Sequence, residues 1–154
     1  MRYHGKRAGG PPADACGDTH DDNEPWAFGD TAFNAIKPML ALRETLRAYV
    51  MAANAATAAE GLPMLRPLAF DFPADADAAA PFAEGAFLFG DALLAQPVAE
   101  YGARTATVYL PRLPAGGKWS YYFDRSRAWP GGANVTIDAP LDEFPLFVRS
   151  GRGL

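Results

Sequence analysis

Gly61–Pro73 reads GLPMLRPLAFDFP, Phe87–Val98 reads FLFGDALLAQPV and Thr105–Pro111 reads TATVYLP. From Leu62 onward the apolar residues fall in short runs, β-branched or aromatic in places and bounded by turn residues. That pattern predicts strands over Met64–Phe70, Ala86–Phe89, Leu93–Val98, Thr105–Leu110, Lys118–Phe123, Asn134–Asp138 and Leu146–Arg149. Gly90-Asp91, Ala115-Gly116-Gly117 and Pro130-Gly131-Gly132 supply the turns. Short strands at this spacing, with no helices between them, predict an antiparallel β-sandwich over residues 61–154. The Ala/Asp/Pro stretch Pro73–Pro81 is low in complexity and reads as an exposed loop.

Upstream the period changes. Met39, Leu42, Leu46, Tyr49 and Ala53 recur at spacings of three and four, and Ile36, Leu40 and Val50 widen that apolar face. A helix is therefore expected over about Asp30–Glu60, ended by Gly61. Asp30 is placed to cap it, and Pro38 either kinks it or delays its start. Residues 1–30 are polar, Gly-rich and acidic from Asp14 to Glu24, a composition that builds no core of its own.

The bulk numbers exclude several classes. A net charge of -4 over 154 residues, with no Lys/Arg cluster, gives no nucleic-acid partner. No run approaches the ~18 apolar residues of a membrane span, so no membrane partner is expected either. Cys16 is the only cysteine, so no internal disulfide can form. Cys16, His20 and the carboxylates Asp14, Asp18, Asp21, Asp22 and Glu24 match no metal-ligand spacing, and read as a solvated loop. No phosphate loop and no Gly-x-Ser-x-Gly elbow occurs.

The phrases, taken in order, resemble glycoside hydrolase family 31, the retaining α-glucosidases and α-xylosidases. Met1–Gly5 (MRYHG) is similar to the Arg-x-His-Gly phrase that ends the family's last barrel strand. Glu24–Gly29 (EPWAFG) is similar to the loop that follows, and Leu42–Tyr49 (LRETLRAY) to the final barrel helix. Arg66-Pro67-Leu68, Asp71-Phe72-Pro73, Phe89-Gly90, Leu93-Leu94, Pro97-Val98 and Val108–Pro111 continue the series. Trp119, Gly131-Gly132, Ala139–Leu141 and Pro145–Arg149 complete it.

The resemblance implies a mixed architecture. Residues 1–60 are expected to be the end of a (β/α)8 barrel: the tip of strand 8, its loop and helix 8. Residues 61–154 are expected to be a truncated proximal sandwich, stopping at SGRGL before a final strand. Retaining hydrolysis uses two carboxyl groups about 5 Å apart, a nucleophile and an acid/base. In the family both are aspartates on earlier barrel strands, so no catalytic residue is expected here and the chain alone is expected to be inactive. No cofactor is implied.

The implied partners are an α-glucoside or α-xyloside and the remainder of the barrel. The family's matching histidine hydrogen-bonds a sugar hydroxyl, which makes His4 the first candidate substrate contact. A disordered surface histidine is its alternative in the isolated chain. Arg2 matches the same phrase and would support the pocket's charge network. Trp26 is either a sugar-stacking platform or a wedge packing its loop against the barrel rim. Arg66 and Asp71 are expected to pair and to anchor the first sandwich strand to the barrel, while Trp119 and Trp129 are expected to pack in the sandwich. A rival reading makes the sandwich a carbohydrate-binding or interaction module displaying Tyr121, Tyr122 and Trp129.

Overall fold

The computed structural model describes residues 25–80, 83 and 85–154. His4, Arg2 and the acidic run from Asp14 to Glu24 lie outside the described residues. The chain divides into two compact units after Glu44. In the first, a 3₁₀ turn at Pro25–Phe28 precedes helix α1, Asp30–Thr45. The turn ends at Gly29, whose φ of +85° suits a residue without a side chain. Pro38 lies inside α1, and no residue of α1 is buried.

The second unit begins with helix α2, Arg47–Glu60. The expected single helix is thus interrupted, and the break falls at Leu46 (φ −86°, ψ 2°), not at Pro38. Gly61 ends α2 as expected: its φ is +72° and its N–H donates to the Thr57 carbonyl at 2.9 Å. Tyr49 is the buried residue of α2.

Strands β1 (Leu65–Pro67), β2 (Phe87–Phe89), β3 (Leu93–Ala95), β4 (Thr105–Leu110), β5 (Lys118–Tyr121), β6 (Ala128–Pro130), β7 (Ala133–Asp138) and β8 (Leu146–Arg149) follow. They form a six-stranded sheet in the order β1-β2-β3-β8-β5-β6 and a β4-β7 pair. Every pairing is antiparallel. Both sheets feed one apolar cluster. Val108, Leu110, Val135 and Ile137 from the pair meet Leu88, Leu94, Trp119, Tyr121 and Phe147 from the larger sheet. This is the arrangement of a β-sandwich. Each large side chain fully removed from water here contributes about 1.5–3 kcal/mol. On the outer face of the pair, Thr107 and Thr136 sit opposite each other with hydroxyls 2.8 Å apart.

Three expectations are corrected. The strand expected over Met64–Phe70 stops at Pro67, and Leu68–Asp71 forms one helical turn, α3. Leu68 and Phe72, four residues apart, both enter the core, and the Phe72 N–H closes on the Leu68 carbonyl at 3.0 Å. The expected loop Pro73–Pro81 contains a 3₁₀ turn at Ala76–Ala79 whose Ala78 is buried in the core cluster. Alanine is small enough to close that end of the core without displacing Leu68 or Phe72. Strand β6 was not expected, because Pro130 beside Gly131-Gly132 reads as a turn. As an edge strand it tolerates the missing N–H. The other edge strand, β1, also ends in proline, Pro67, so both edges resist pairing with a further strand.

Candidate functional site

The hub of the second unit is the β2–β3 turn. The Tyr49 hydroxyl, brought in by α2, donates to the Phe89 carbonyl at 2.5 Å and accepts from the Ala92 N–H at 3.0 Å. Burial pushes its pKa up, and the Asp91 charge adds to the shift. Gly90 lies against the hydroxyl end of the Tyr49 ring. A Cβ there would fall 2.1 Å from the Tyr49 hydroxyl, and φ is already +63°. Only glycine lets helix and turn approach so closely.

Arg66, 7% exposed, closes the same turn from below. Its Nε donates to Asp71 Oδ2 at 2.6 Å, Nη2 to the Gly90 carbonyl at 2.8 Å and Nη1 to the Pro63 carbonyl at 3.3 Å. The expected Arg66–Asp71 pair therefore forms. It ties β1, α3 and the β2–β3 turn together. Tyr49→Phe should cost about 1–3 kcal/mol in urea unfolding, because it leaves the buried Ala92 N–H and Phe89 carbonyl without their partner. A midpoint unchanged from the parent would remove the hub role assigned to this hydroxyl.

Two further acids, Asp75 and Glu143, are likewise occupied. Asp75 takes the Tyr109 hydroxyl on both oxygens, at 2.7 and 2.9 Å, and the Arg112 N–H at 3.0 Å. Burial alone would raise its pKa, but the Arg112 N–H and the Tyr109 hydroxyl outweigh it and hold the carboxyl below its usual range. A general acid at a glycosidic oxygen needs the opposite shift. Glu143 accepts from the Tyr121 hydroxyl at 2.8 Å. Burial, followed by that bond to Glu143, drives the Tyr121 pKa well above the usual tyrosine range.

Of the sequence-derived sugar contacts, His4, Arg2 and Trp26, only Trp26 lies among the described residues. Trp26, on the 3₁₀ turn of the first unit, is 65% exposed. Trp119 is fully buried and donates from Nε1 to the Pro111 carbonyl at 2.8 Å. Trp129 is half-buried, edge-on to Phe147. The flat platform required by the binding-module reading is not formed. Tyr121 is buried, and guanidinium groups cover Tyr121 and Trp129 (Arg127) and Tyr122 (Arg125). Among the described residues no group of three His, Cys, Asp or Glu side chains could hold a metal ion, and no helix is long and apolar enough to cross a membrane. The feature that sequence reading missed is a cleft of about 560 Å³ beside α3, lined by Arg112 and Arg149 from separate parts of the chain. Both arginines were visible in the sequence, but nothing local signalled their convergence.

Residues 61–152, which hold this hub and both sheets, match the glycosyl hydrolase family 31 C-terminal domain. The chain belongs to glycoside hydrolase family 31. Its relatives in the family include a 1,6-alpha-glucosyltransferase of Sporosarcina globispora, 34% identical, over 88% of this chain and 10% of that protein. A probable glucan 1,3-alpha-glucosidase of Arabidopsis thaliana is 34% identical over 88% of this chain and 14% of its own length. Among solved structures, a family 31 alpha-xylosidase from a soil metagenome, complexed with xylose, superposes with a TM-score of 0.78. It is 37% identical, over 87% of this chain and 19% of that one. A family 31 dextranase of Flavobacterium johnsoniae gives 0.79 at 34% identity, over 86% of this chain and 16% of that one. The chain thus spans between a tenth and a fifth of the length of these relatives.

Proposed function

We propose that residues 61–154 are the proximal sandwich of a retaining α-glycosidase that removes terminal α-linked glucose or xylose. On this reading residues 1–60 are the closing strand tip, loop and helix of its (β/α)8 barrel. The single observation that carries the proposal is the family match beginning at residue 61, immediately after α2. It divides the chain where a barrel helix would hand over to a sandwich. The saturated hub supports it: Tyr49 on α2 grips the β2–β3 turn, so helix and sandwich form one rigid piece.

Hydrolysis itself is assigned to two carboxyl groups outside these residues, one attacking the anomeric carbon and the other protonating the leaving oxygen. Asp71, Asp75 and Glu143 are occupied by internal donors and take no such role. His4 would meet a sugar hydroxyl with a ring that both donates and accepts, Arg2 would steady the pocket's charges, and Trp26 would flank it.

The test is hydrolysis of p-nitrophenyl α-glucoside and α-xyloside. The 154-residue chain alone is expected to show no turnover. Where an open reading frame continues upstream of Met1, the extended chain should turn over one of the two substrates, and His4→Ala should lower kcat/KM by about a hundredfold or more. Turnover by the chain alone, or full activity in the histidine variant, contradicts the assignment.

A further inference from the structure

The cleft beside α3 is lined by two arginines, Arg112 and Arg149, whose guanidinium donors are not used within the described residues. Four guanidiniums, Arg66, Arg112, Arg149 and Arg152, stand around it and the adjoining groove. The carboxylates lining the same cleft and groove are Glu60, Asp71, Asp75 and Asp91, of which Glu60 at the end of α2 is exposed and forms no ion pair with them. Asp71 is taken by Arg66 at 2.6 Å and Asp91 by Arg152 at 3.3 Å. Asp75 is spent on the Tyr109 hydroxyl and the Arg112 N–H. Arg149 and the Arg112 side chain are left without a hydrogen-bonded or ion-paired acceptor among the described residues. Arg149 is half-buried at the end of β8, and its guanidinium lies over the Phe72 ring, 5.4 Å from the centroid.

Burial holds the Arg149 pKa below its usual range, and Arg152 adds to this. The nearby Asp71 and Asp91 charges offset only part of this, and neither is hydrogen-bonded to Arg149 among the described residues. Phe72 holds the Arg149 guanidinium at the cleft wall, and a guanidinium with free donors is the group that a planar carboxylate meets with paired hydrogen bonds. Lysine could not do this, having a point charge in place of a fork.

We propose that the cleft beside α3 is a carboxylate-binding site in which Arg149 makes the paired contact and Arg112 supplies the second positive charge. The inference stands apart from the glycosidase reading, since it rests on the sandwich alone. The carboxylate can belong to a free acid or to an Asp or Glu side chain of a polypeptide.

The experiment titrates the full chain with succinate at constant ionic strength and follows the arginine Nε–H signals by NMR. A second arm uses an end-blocked peptide containing aspartate. A saturable shift of the Arg149 signal is expected in at least one arm. Succinate alone points to a free acid, and the peptide binding more tightly points to a side chain. Arg149→Gln should weaken binding about tenfold or more and Arg112→Gln about threefold, whereas Arg152→Gln, whose residue already pairs with Asp91, should leave it unchanged.

Should Arg149→Gln fail to fold, Arg149→Lys, which keeps the charge, must still weaken binding about threefold or more, and Arg112→Gln remains as the exposed-site variant. Shifts that never saturate, or equal affinity in the wild type and Arg149→Lys, overturn the proposal. Inorganic phosphate binding tenfold more tightly than succinate overturns the carboxylate assignment.

Discussion

Gly131→Ala is expected to destabilise the sandwich by about 3–5 kcal/mol, a large share of the ~5–15 kcal/mol that holds a domain folded. A Cβ at this position would lie 2.0 Å from the Pro111 carbonyl oxygen and 2.7 Å from Arg112 Cα. Both obstacles are main chain, so no rotamer change relieves them. The site is where the chain crosses between sheets twice. β4 leaves the two-stranded sheet through Pro111 and Arg112 toward β5, and β6 returns through Gly131 and Gly132 to β7.

The two crossings are sewn together by the Gly132 N–H to the Leu110 carbonyl at 2.7 Å, and the Pro111 carbonyl also accepts from Trp119. Moving Pro111 aside to admit a methyl group would also remove the partner of the buried indole. Thermal unfolding should show Tm lowered by on the order of 15 °C. Gly132→Ala serves as the contrast. Its φ of +84° is strained for alanine, but the new Cβ would meet only the Arg112 side chain at 3.0 Å, which can swing away. A cost of about 1 kcal/mol is expected there. Equal losses at the two glycines would show that the corner is not packed as described.

Arg66→Ala is the second large effect, at about 3–5 kcal/mol by urea unfolding. The loss is not the attraction of one ion pair. Removing the guanidinium strands the Asp71 carboxylate and takes the donors from the Gly90 and Pro63 carbonyls at once. An Asp71→Asn variant should lose less, since the amide can still accept from Arg66. The pair of substitutions together should cost clearly less than the sum, with a coupling of about 1–3 kcal/mol. Strict additivity would mean that Arg66 acts through packing alone.

Much of the sandwich was legible from the sequence, because its strands carry their own signal. β4, β7 and β8 fall where alternating or β-branched runs placed them, and Gly61 ends the helix because only a residue without Cβ sits easily at φ +72°. Ordered short phrases also carried the family, since each marks a turn or strand end whose geometry a few residue types can meet. Trp26 was legible as an aromatic on a turn, but the turn itself leaves it exposed.

What tertiary structure decided is everything that depends on partners distant in sequence. Periodicity reports which side of an element avoids water, and it says nothing about what waits on that side. Leu68–Asp71 turns into a helix because Phe72 is needed in the core and Asp71 at Arg66. Asp75 belongs to the fold because Tyr109, 34 residues away, donates to it. Arg112 and Arg149 share one cleft only because β8 pairs with β5, across the sheet from the corner where β4 ends. The sequence determined the elements and the family, because both are written in local residue choices; packing decided which polar groups meet, because a buried charge or carbonyl must find its partner wherever the closed sandwich puts one.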